Sequence, residues 1–244
     1  MSTPGEGSAP RAGASASGEA ATQAADVGEL NDRLAREHSI DDYYARSPLP
    51  IRIIEQRRLA IIRSMIGEAA GLELCEVGSG GGHVLRMFPH ARLTAIDVSE
   101  VFLDTARKNL RGYDAKFIQG EVDKLDLVPE TFDRIICTEV LEHTMDPDAV
   151  LAAIARLLKR DGVAVITVPN DTLILRLKSL VRRTPVGWLL GGKVNWGGDE
   201  FHRHVWTPDE FERVLARHFR VTERSSAPHD RIPIRACFRC VHKL

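Results

Sequence analysis

The chain has 244 residues, of which 43% are hydrophobic, a proportion that allows one sizeable buried core and does not require a second. Its 33 basic and 34 acidic residues give a formal net charge of −1, which argues against nucleic acid or an anionic membrane surface as a partner. Four cysteines are too few for a disulfide scaffold at this length, and no run of about 18 apolar residues is present to span a membrane. We therefore expect a cytoplasmic protein of the reducing cytosol.

The first 28 residues differ sharply in composition from the rest of the chain. Of these, 21 are Ala, Gly, Ser, Thr or Pro, and none is Leu, Ile or Phe. Such a segment cannot bury enough apolar surface to offset its ordering entropy, so residues 1–28 are predicted to be a disordered tail. Residues 29–244 are predicted to form one domain that begins with short helices in 29–70, one of them opened by Pro50.

After Gly71 the sequence alternates between strand-like and helix-like segments. Strand-like runs cover residues 72–77, 93–97, 115–119, 134–139 and 163–168, and helical patterns cover 82–89, 99–111 and 147–160. Strands that alternate with helices of this length predict βαβ units in a parallel sheet that is covered on both faces.

The C-terminal part breaks this alternation. The run Thr-Pro-Asp-Glu at 207–210 is a capping box, which predicts a helix that ends near His218. Strand-like runs at 219–225 and 234–241 follow with no helix between them, so they should pair antiparallel. The predicted fold class is α/β, with a doubly wound, mostly parallel seven-stranded sheet that ends in an antiparallel C-terminal hairpin.

Candidate binding residues follow the strands, because open α/β sheets bind their ligands at the carboxyl ends of the strands. After the first strand, Gly78 permits a tight turn, and Gly80 and Gly82 allow the backbone to approach a ligand closely. Asp97 ends the second strand, where a carboxylate can accept both hydroxyls of an adenosine ribose. Glu76 precedes the glycine loop, and an acid there would repel a pyrophosphate but attract the ammonium of a methionine moiety.

Between residues 72 and 170 the blocks LCEVGSGGG, AIDVS, GEVDKLDL, FDRIICTEVLEH and LLKRDGVAVITVPN follow one another. In this order they resemble the class I S-adenosylmethionine-dependent methyltransferases, and the antiparallel ending fits the same family. The resemblance implies S-adenosyl-L-methionine as the cofactor. Its implied binding residues are Glu76, Gly78, Gly80 and Gly82 at the methionine end, Asp97 at the ribose, Val98, Glu121 and Val122 at the adenine, and Thr138 and Glu139 under the sulfonium.

Glu139, Glu142 and His143 follow the fourth strand at a spacing that would place them on one face of a helix. Three interpretations are open: the histidine orients the loop, His143 is a general base, or the three side chains bind a metal. The set resembles the metal ligands of small-RNA 3′-terminal ribose 2′-O-methyltransferases and of quinone-pathway O-methyltransferases. Both groups also place a histidine before the last helix, as His202 and His204 stand here. We take His143 and His202 as the candidate catalytic residues and assign no metal ligand.

Residues 171–206 form a stretch that is too long for a simple connection, so we predict a lid over the site. Its basic residues would attract a partly anionic acceptor or form the solvated face of a packed helix. All three tryptophans of the chain lie in this stretch, at Trp188, Trp196 and Trp206. Aromatic groups there would exclude water and shape a pocket for a small organic acceptor.

The resulting functional hypothesis is methyl transfer from S-adenosylmethionine to an O or N atom of a small-molecule metabolite. One alternative is a metal-dependent RNA 3′-terminal ribose 2′-O-methyltransferase, and another is a cofactor-binding protein without catalysis. An NAD-dependent reductase is disfavoured by Glu76 and by His83, which stands where a dinucleotide fingerprint has its third glycine.

Overall fold

The structure is a computed structural model that describes residues 47–184 and 202–243. The predicted tail at 1–28, the N-terminal residues before 47, and the lid residues 185–201 with Trp188 and Trp196 lie outside the described residues. Within the described ranges, no helix combines the length and the apolar character needed to cross a lipid bilayer.

Seven strands form a single sheet in the order β3-β2-β1-β4-β5-β7-β6. They are β1 Glu73–Val77, β2 Arg92–Asp97, β3 Ala115–Gln119, β4 Phe132–Thr138, β5 Leu158–Pro169, β6 Phe219–His229 and β7 Ile232–His242. Strands β1 to β5 pair in parallel, whereas β7 pairs antiparallel with both β5 and β6. The predicted mostly parallel sheet with an antiparallel C-terminal hairpin is therefore confirmed.

Five α-helices accompany the sheet in the described part of the chain. They are α1 Leu49–Ile66, α2 Glu100–Asn109, α3 Pro147–Leu157, α4 Asp171–Arg182 and α5 Pro208–Leu215. Side chains cap three of these helices, including α5, for which the sequence predicted a capping box. Ser99 accepts a hydrogen bond from the first turn of α2, Asp146 does so for α3, and Thr207 forms the capping box of α5.

The helices cover both faces of the sheet, as a doubly wound fold requires. On β4, the neighbouring residues Ile135 and Ile136 are both fully buried but belong to different apolar clusters, because successive strand residues point to opposite faces. One cluster includes Leu151 of α3 and Phe211 of α5, and the other includes Ile62 of α1. The two clusters therefore lie on opposite faces of the sheet.

The helix expected over 82–89 is wrong, since the chain forms only the short 3₁₀ turn Leu85–Met87 there. The backbone N–H of Phe88 donates to the carbonyl of Leu85 at 2.9 Å, which is a 3₁₀ hydrogen bond. Pro89 follows directly, and its ring disfavours the helical conformation of the residue before it. The segment therefore ends after a single turn.

The helix expected over 147–160 is also shorter than predicted, because α3 ends at Leu157 and β5 begins at Leu158. Asp161 and Gly162, a pair typical of a helix end, instead lie inside β5. Leu158 is fully buried and pairs with Phe132 of β4, with a register shift before Arg134. Tertiary pairing of this buried leucine outweighs the local helix pattern.

We expect Gly78→Ala to lower the free energy of unfolding by about 1–3 kcal/mol more than Gly71→Ala does. Both glycines have nearly the same positive φ, 69° and 71°, so the backbone strain of an alanine is matched. A Cβ at Gly78 would lie 2.2 Å from Cγ2 of Val140, whereas a Cβ at Gly71 would meet no atom within 4 Å. Urea unfolding measures both variants, and equal losses would show that Val140 moves aside without cost.

Candidate active site

A cavity of about 330 Å³ lies at the carboxyl ends of β1 and β4. The sequence-predicted residues that line it are Glu76, Gly78, Gly80, Thr138, Glu139, His143 and His202. The sequence-predicted residues that do not line it are Gly82, Asp97, Val98, Glu121 and Val122. Helix α1 and strand β7 contribute further walls through Arg58 and Arg235.

Glu76 is a deeply buried acid of the cavity wall, with 1% exposure. Burial raises the pKa of its carboxyl well above the ordinary value, and the positive charge of Arg58 offsets this only in part. Its Oε2 atom has no hydrogen-bond partner among the described residues. A buried acceptor of this kind fits a cationic donor on a ligand, such as an ammonium group.

Arg58 of α1 is a site residue that the sequence reasoning missed. Its guanidinium is buried and donates from Nε to Oε2 of Glu55 at 2.8 Å. It acts electrostatically on Glu76, so a cation and an acid stand together in one cavity wall. The pattern did carry a signal: Arg58 is four residues from Ile54 and from Ile62, which places it on the apolar face of the helix.

Arg235 of β7 joins the cavity to the C-terminal hairpin. Its Nε atom lies 3.0 Å from Oε2 of Glu139 and 3.6 Å from Oε1 of Glu55. The Oε1 atom of Glu139 also accepts a hydrogen bond from Thr167 of β5 at 3.1 Å. These contacts hold Glu139 at the cavity wall although its φ of +54° is uncommon for a residue with a side chain.

Asp97 holds the glycine loop from behind the cavity. One carboxylate oxygen accepts from the backbone N–H of Gly80 at 2.8 Å, and the other accepts from the backbone N–H of Ser99 at 2.9 Å. The carboxylate thus lies at the junction between the glycine loop and α2, and its role toward a ribose stays a prediction.

Gly82 has a packing role in this fold. An added Cβ would lie 3.1 Å from Cδ1 of Leu110 and 3.3 Å from Cβ of Ala106. The glycine therefore lets the loop approach α2 and its C-cap, and its close approach to a ligand stays a prediction.

The residues expected at an adenine lie beyond the cavity, after β2 and β3. The carbonyl of Val98 accepts from Gln119 Nε2 at 3.2 Å, and Glu121 forms an ion pair with Lys124 at 2.6 Å. Val122 is buried in the apolar core. Their roles toward adenine stay predictions.

The segment after β4 is not the helix that the spacing of Glu139 and His143 suggested. It is the 3₁₀ turn Leu141–His143, entered through the left-handed backbone of Glu139. The turn nevertheless brings Glu139, Glu142 and His143 to the same cavity. The three side chains thus line one cavity, on a backbone that differs from the predicted helix.

Glu142 is a second buried acid, with 1% exposure. Burial raises the pKa of its carboxyl well above the ordinary value, and the nearby charge of Glu139 raises it further. Neither carboxyl oxygen has a hydrogen-bond partner among the described residues. A cation or a hydrogen-bond donor that reached Glu142 would stabilise the ionised form of its carboxyl.

The two histidines before α5 separate in the structure. His202 lines the cavity, and its ring meets that of His143 edge-on with the centroids 4.8 Å apart. His204 instead bonds the carbonyl of Thr144 at 3.1 Å and stacks on Trp206. Ligand atoms of Glu142, His143 and His202 lie within 4.8 Å of one another, a spacing that suits proton exchange or a bound divalent ion.

A family model for the methyltransferase domain matches residues 75–166. A curated relative from Caulobacter vibrioides, a ubiquinone biosynthesis O-methyltransferase, is 31% identical over 186 residues, which cover 68% of this chain and 71% of the relative. The protein of the same name from Actinobacillus pleuropneumoniae is 33% identical over 135 residues, covering 51% and 57% of the two chains. For four such relatives the match spans between 49% and 59% of their length.

Solved structures show the same fold at low sequence identity. A protein of Pyrococcus horikoshii superposes with a TM-score of 0.63 at 16% identity, over 86% of this chain and 99% of the other. An S-adenosylmethionine dependent methyltransferase from Mesorhizobium loti gives a TM-score of 0.57 at 18% identity, over 74% and 95%. With the sequence matches, these findings define the class: the chain belongs to the class I S-adenosylmethionine-dependent methyltransferase family. The family implies S-adenosyl-L-methionine as the cofactor.

We expect Glu142→Gln to stabilise the protein at pH 8 by about 1–3 kcal/mol in a buffer that contains a chelator. A carboxyl with a raised folded-state pKa keeps its proton in the fold but loses it on unfolding, so stability falls as the pH rises above the ordinary carboxyl pKa. Glutamine removes this loss. Denaturant unfolding at pH 5 and pH 8 measures it, with the exposed Glu223→Gln as control. An identical pH dependence for Glu142→Gln and wild type would contradict the burial argument.

Proposed function

We propose that this chain transfers the methyl group of S-adenosylmethionine to a hydroxyl or amine of a small-molecule metabolite. One observation carries the proposal: a single cavity holds the buried Glu76 and Arg58 together with the His143 and His202 pair. The acid and the arginine suit the ammonium and the carboxylate of an amino-acid moiety. The two histidines suit proton removal from an acceptor. The relatives' name, ubiquinone biosynthesis O-methyltransferase, favours a hydroxyl as the acceptor group.

The residues present fit the cofactor, because an acid with an unmatched oxygen stands beside a buried guanidinium and a glycine loop. In this proposal Glu76 binds the ammonium, Arg58 the carboxylate, and Gly78 and Gly80 let the backbone approach the methionine moiety. The ribose and adenine lie toward the ends of β2 and β3. Their proposed ligands are Asp97, Val98, Glu121 and Val122.

The chain's own part in the reaction is alignment and proton removal. Bound S-adenosylmethionine supplies a methyl group that its positive sulfur already activates, so proximity and orientation provide about 7 kcal/mol or more of the acceleration. Thr138 and Glu139 form the floor under the reacting atoms, and Arg235 keeps the Glu139 carboxylate in place. The histidine pair takes the proton of the acceptor.

The acceptor is proposed to enter between α1 and the segment 171–206, which we propose to be a lid. Helix α4 opens this segment and packs beside β7, next to Arg235 of the cavity.

The four cysteines are buried free thiols, which supports a reducing cytosol as the compartment.

A second candidate is metal-assisted methylation of a ribose 2′-hydroxyl at an RNA end. It is supported by the acid–histidine cluster of Glu142, His143 and His202 and by the exposed basic residues Arg176 and Arg182 on α4. A methyl-transfer screen with labelled cofactor against metabolite extracts and short RNAs, with and without EDTA, separates the two. Chelator-insensitive labelling of a small molecule supports the first proposal, and labelling of RNA that EDTA abolishes supports the second.

We expect Arg58→Ala to weaken S-adenosylmethionine binding about tenfold or more, since a charge-assisted hydrogen bond contributes roughly 1.5–3 kcal/mol. Arg57→Ala is the matched control, because it removes an exposed arginine from the neighbouring position of the same helix. Isothermal titration calorimetry measures both, and melting temperatures establish that both variants fold. Equal affinities for the two variants would remove Arg58 from the cofactor site.

Removal of both imidazoles in a His143→Ala/His202→Ala variant should lower turnover by roughly 10²–10⁴-fold and leave S-adenosylmethionine affinity nearly unchanged. His90→Ala, which removes an exposed histidine outside the cavity, should leave turnover unchanged. Single-turnover rates on the acceptor found in the screen measure the effect. A double variant with near-normal turnover would exclude the histidines from the chemistry.

A further inference from the structure

Asp171, the first residue of α4, is a buried acid beside the cavity that has no role in the proposed reaction so far described. Acids in a first helical turn usually face solvent, where they gain a modest interaction with the helix dipole. Asp171 is instead turned inward, and its Oδ2 atom lies 2.6 Å from Nδ1 of His202. Both side chains are only 12% exposed. The contact is short and shielded from water, which strengthens a charge-assisted hydrogen bond.

The hydrogen bond determines which nitrogen of His202 faces the reaction. A carboxylate can only accept, so a neutral imidazole beside it carries its proton on Nδ1. In that tautomer Nε2 is the accepting nitrogen of a ring that lines the cavity. The Asp171 contact therefore gives the cavity a proton acceptor in a defined orientation.

The backbone around His202 is held as well as its ring. The N–H groups of Arg203 and His204 both donate to the carbonyl of Glu142, at 2.8 and 3.2 Å. The His143 ring packs edge-on against the His202 ring, which limits its rotation. Three segments thus fix one imidazole: the start of α4, the turn after β4, and the residues before α5.

We propose that Asp171 is the positioning residue of His202, and that Nε2 of His202 is the general base of methyl transfer. The proposal rests on the proposed function. As the acceptor oxygen forms its bond to the methyl carbon, the carbon–sulfur bond breaks, its electron pair stays on sulfur, and the hydroxyl proton passes to Nε2. Asp171 then stabilises the resulting imidazolium, and His143 acts by packing against the ring.

The first measurement is independent of activity. Nitrogen-15 NMR of the full chain with labelled histidine, in a buffer with chelator, reports the tautomer of each imidazole, and a His202→Gln variant assigns the His202 signals. We expect a protonated Nδ1 and an unprotonated Nε2 in the wild type. An Nε2–H tautomer in the wild type would overturn the proposal, whether or not any acceptor is known.

The second measurement is kinetic and uses Asp171→Asn. Because the amide of asparagine can donate to Nδ1, it favours the opposite tautomer, so kcat should fall by roughly 10²–10⁴-fold while KM and S-adenosylmethionine affinity stay within about threefold. The matched control is Asp148→Asn, since Asp148 also lies in a first helical turn and also bonds a histidine, His218, at 3.0 Å, but outside the cavity. That control should keep the wild-type kcat.

The outcomes separate this inference from the proposed function. Wild-type methyl transfer with an unchanged kcat in Asp171→Asn, or with a larger loss in His143→Ala than in His202→Gln, would overturn the role of Asp171 and His202 alone. A wild-type chain that transfers no methyl group to any small molecule in the screen would contradict the proposed function, and the NMR result would still stand on its own.

Discussion

Burying carboxyl groups at the carboxyl edge of the sheet is the constraint around which this structure is arranged. An ionised carboxylate loses several kcal/mol of hydration when it leaves water, so a buried one needs a cation, donors or a proton. Among the residues that the structure describes, the cavity wall contains four carboxyl groups and two guanidinium groups, those of Arg58 and Arg235. The balance is negative when all are ionised, and burial raises the pKa of Glu76 and of Glu142 well above the ordinary value. A ligand with positive charge would relieve the same deficit, which supports the proposal that S-adenosylmethionine binds in this cavity.

The two arginines of the cavity come from elements that are far apart in the sequence. Arg58 comes from α1 and Arg235 from β7, and Glu55 of α1 is in contact with both. Helix α1 lies against the C-terminal hairpin, where the Arg239 guanidinium donates to the carbonyl of Met65 at 3.1 Å. The antiparallel hairpin thus does more than extend the sheet: it anchors the helix that carries one cation of the cavity and itself supplies the other.

The sequence predicted those parts of the fold that local pattern determines. The predicted bounds of β3 coincide with Ala115–Gln119, and the capping box at Thr207 begins α5. Long-range contacts determine the rest. Leu158 begins a strand instead of extending the helix because it pairs with Phe132 of β4. Arg58 is recognised as a site residue only in the folded chain, where its charge acts on Glu76. The spacing of the glycines predicted the loop. The packing of Gly82 against α2 depends on a helix that lies outside the loop pattern.

The N-terminal cap of α4 determines where the Asp171 side chain lies. Asn170 and Asp171 are adjacent, and either side chain is suited to cap α4. Asn170 takes that role: its Oδ1 accepts from the N–H of Leu173 at 3.1 Å, while its own N–H donates to the carbonyl of Ile234 on β7 at 2.9 Å. The Asp171 carboxylate is therefore released from capping and turns toward His202. Because β7 fixes Asn170, the same hairpin that supplies Arg235 also sets the direction of Asp171. The orientation of the His202 imidazole therefore depends on which of the two residues caps α4. The sequence spacing does not determine this, whereas the contact of Asn170 with β7 does.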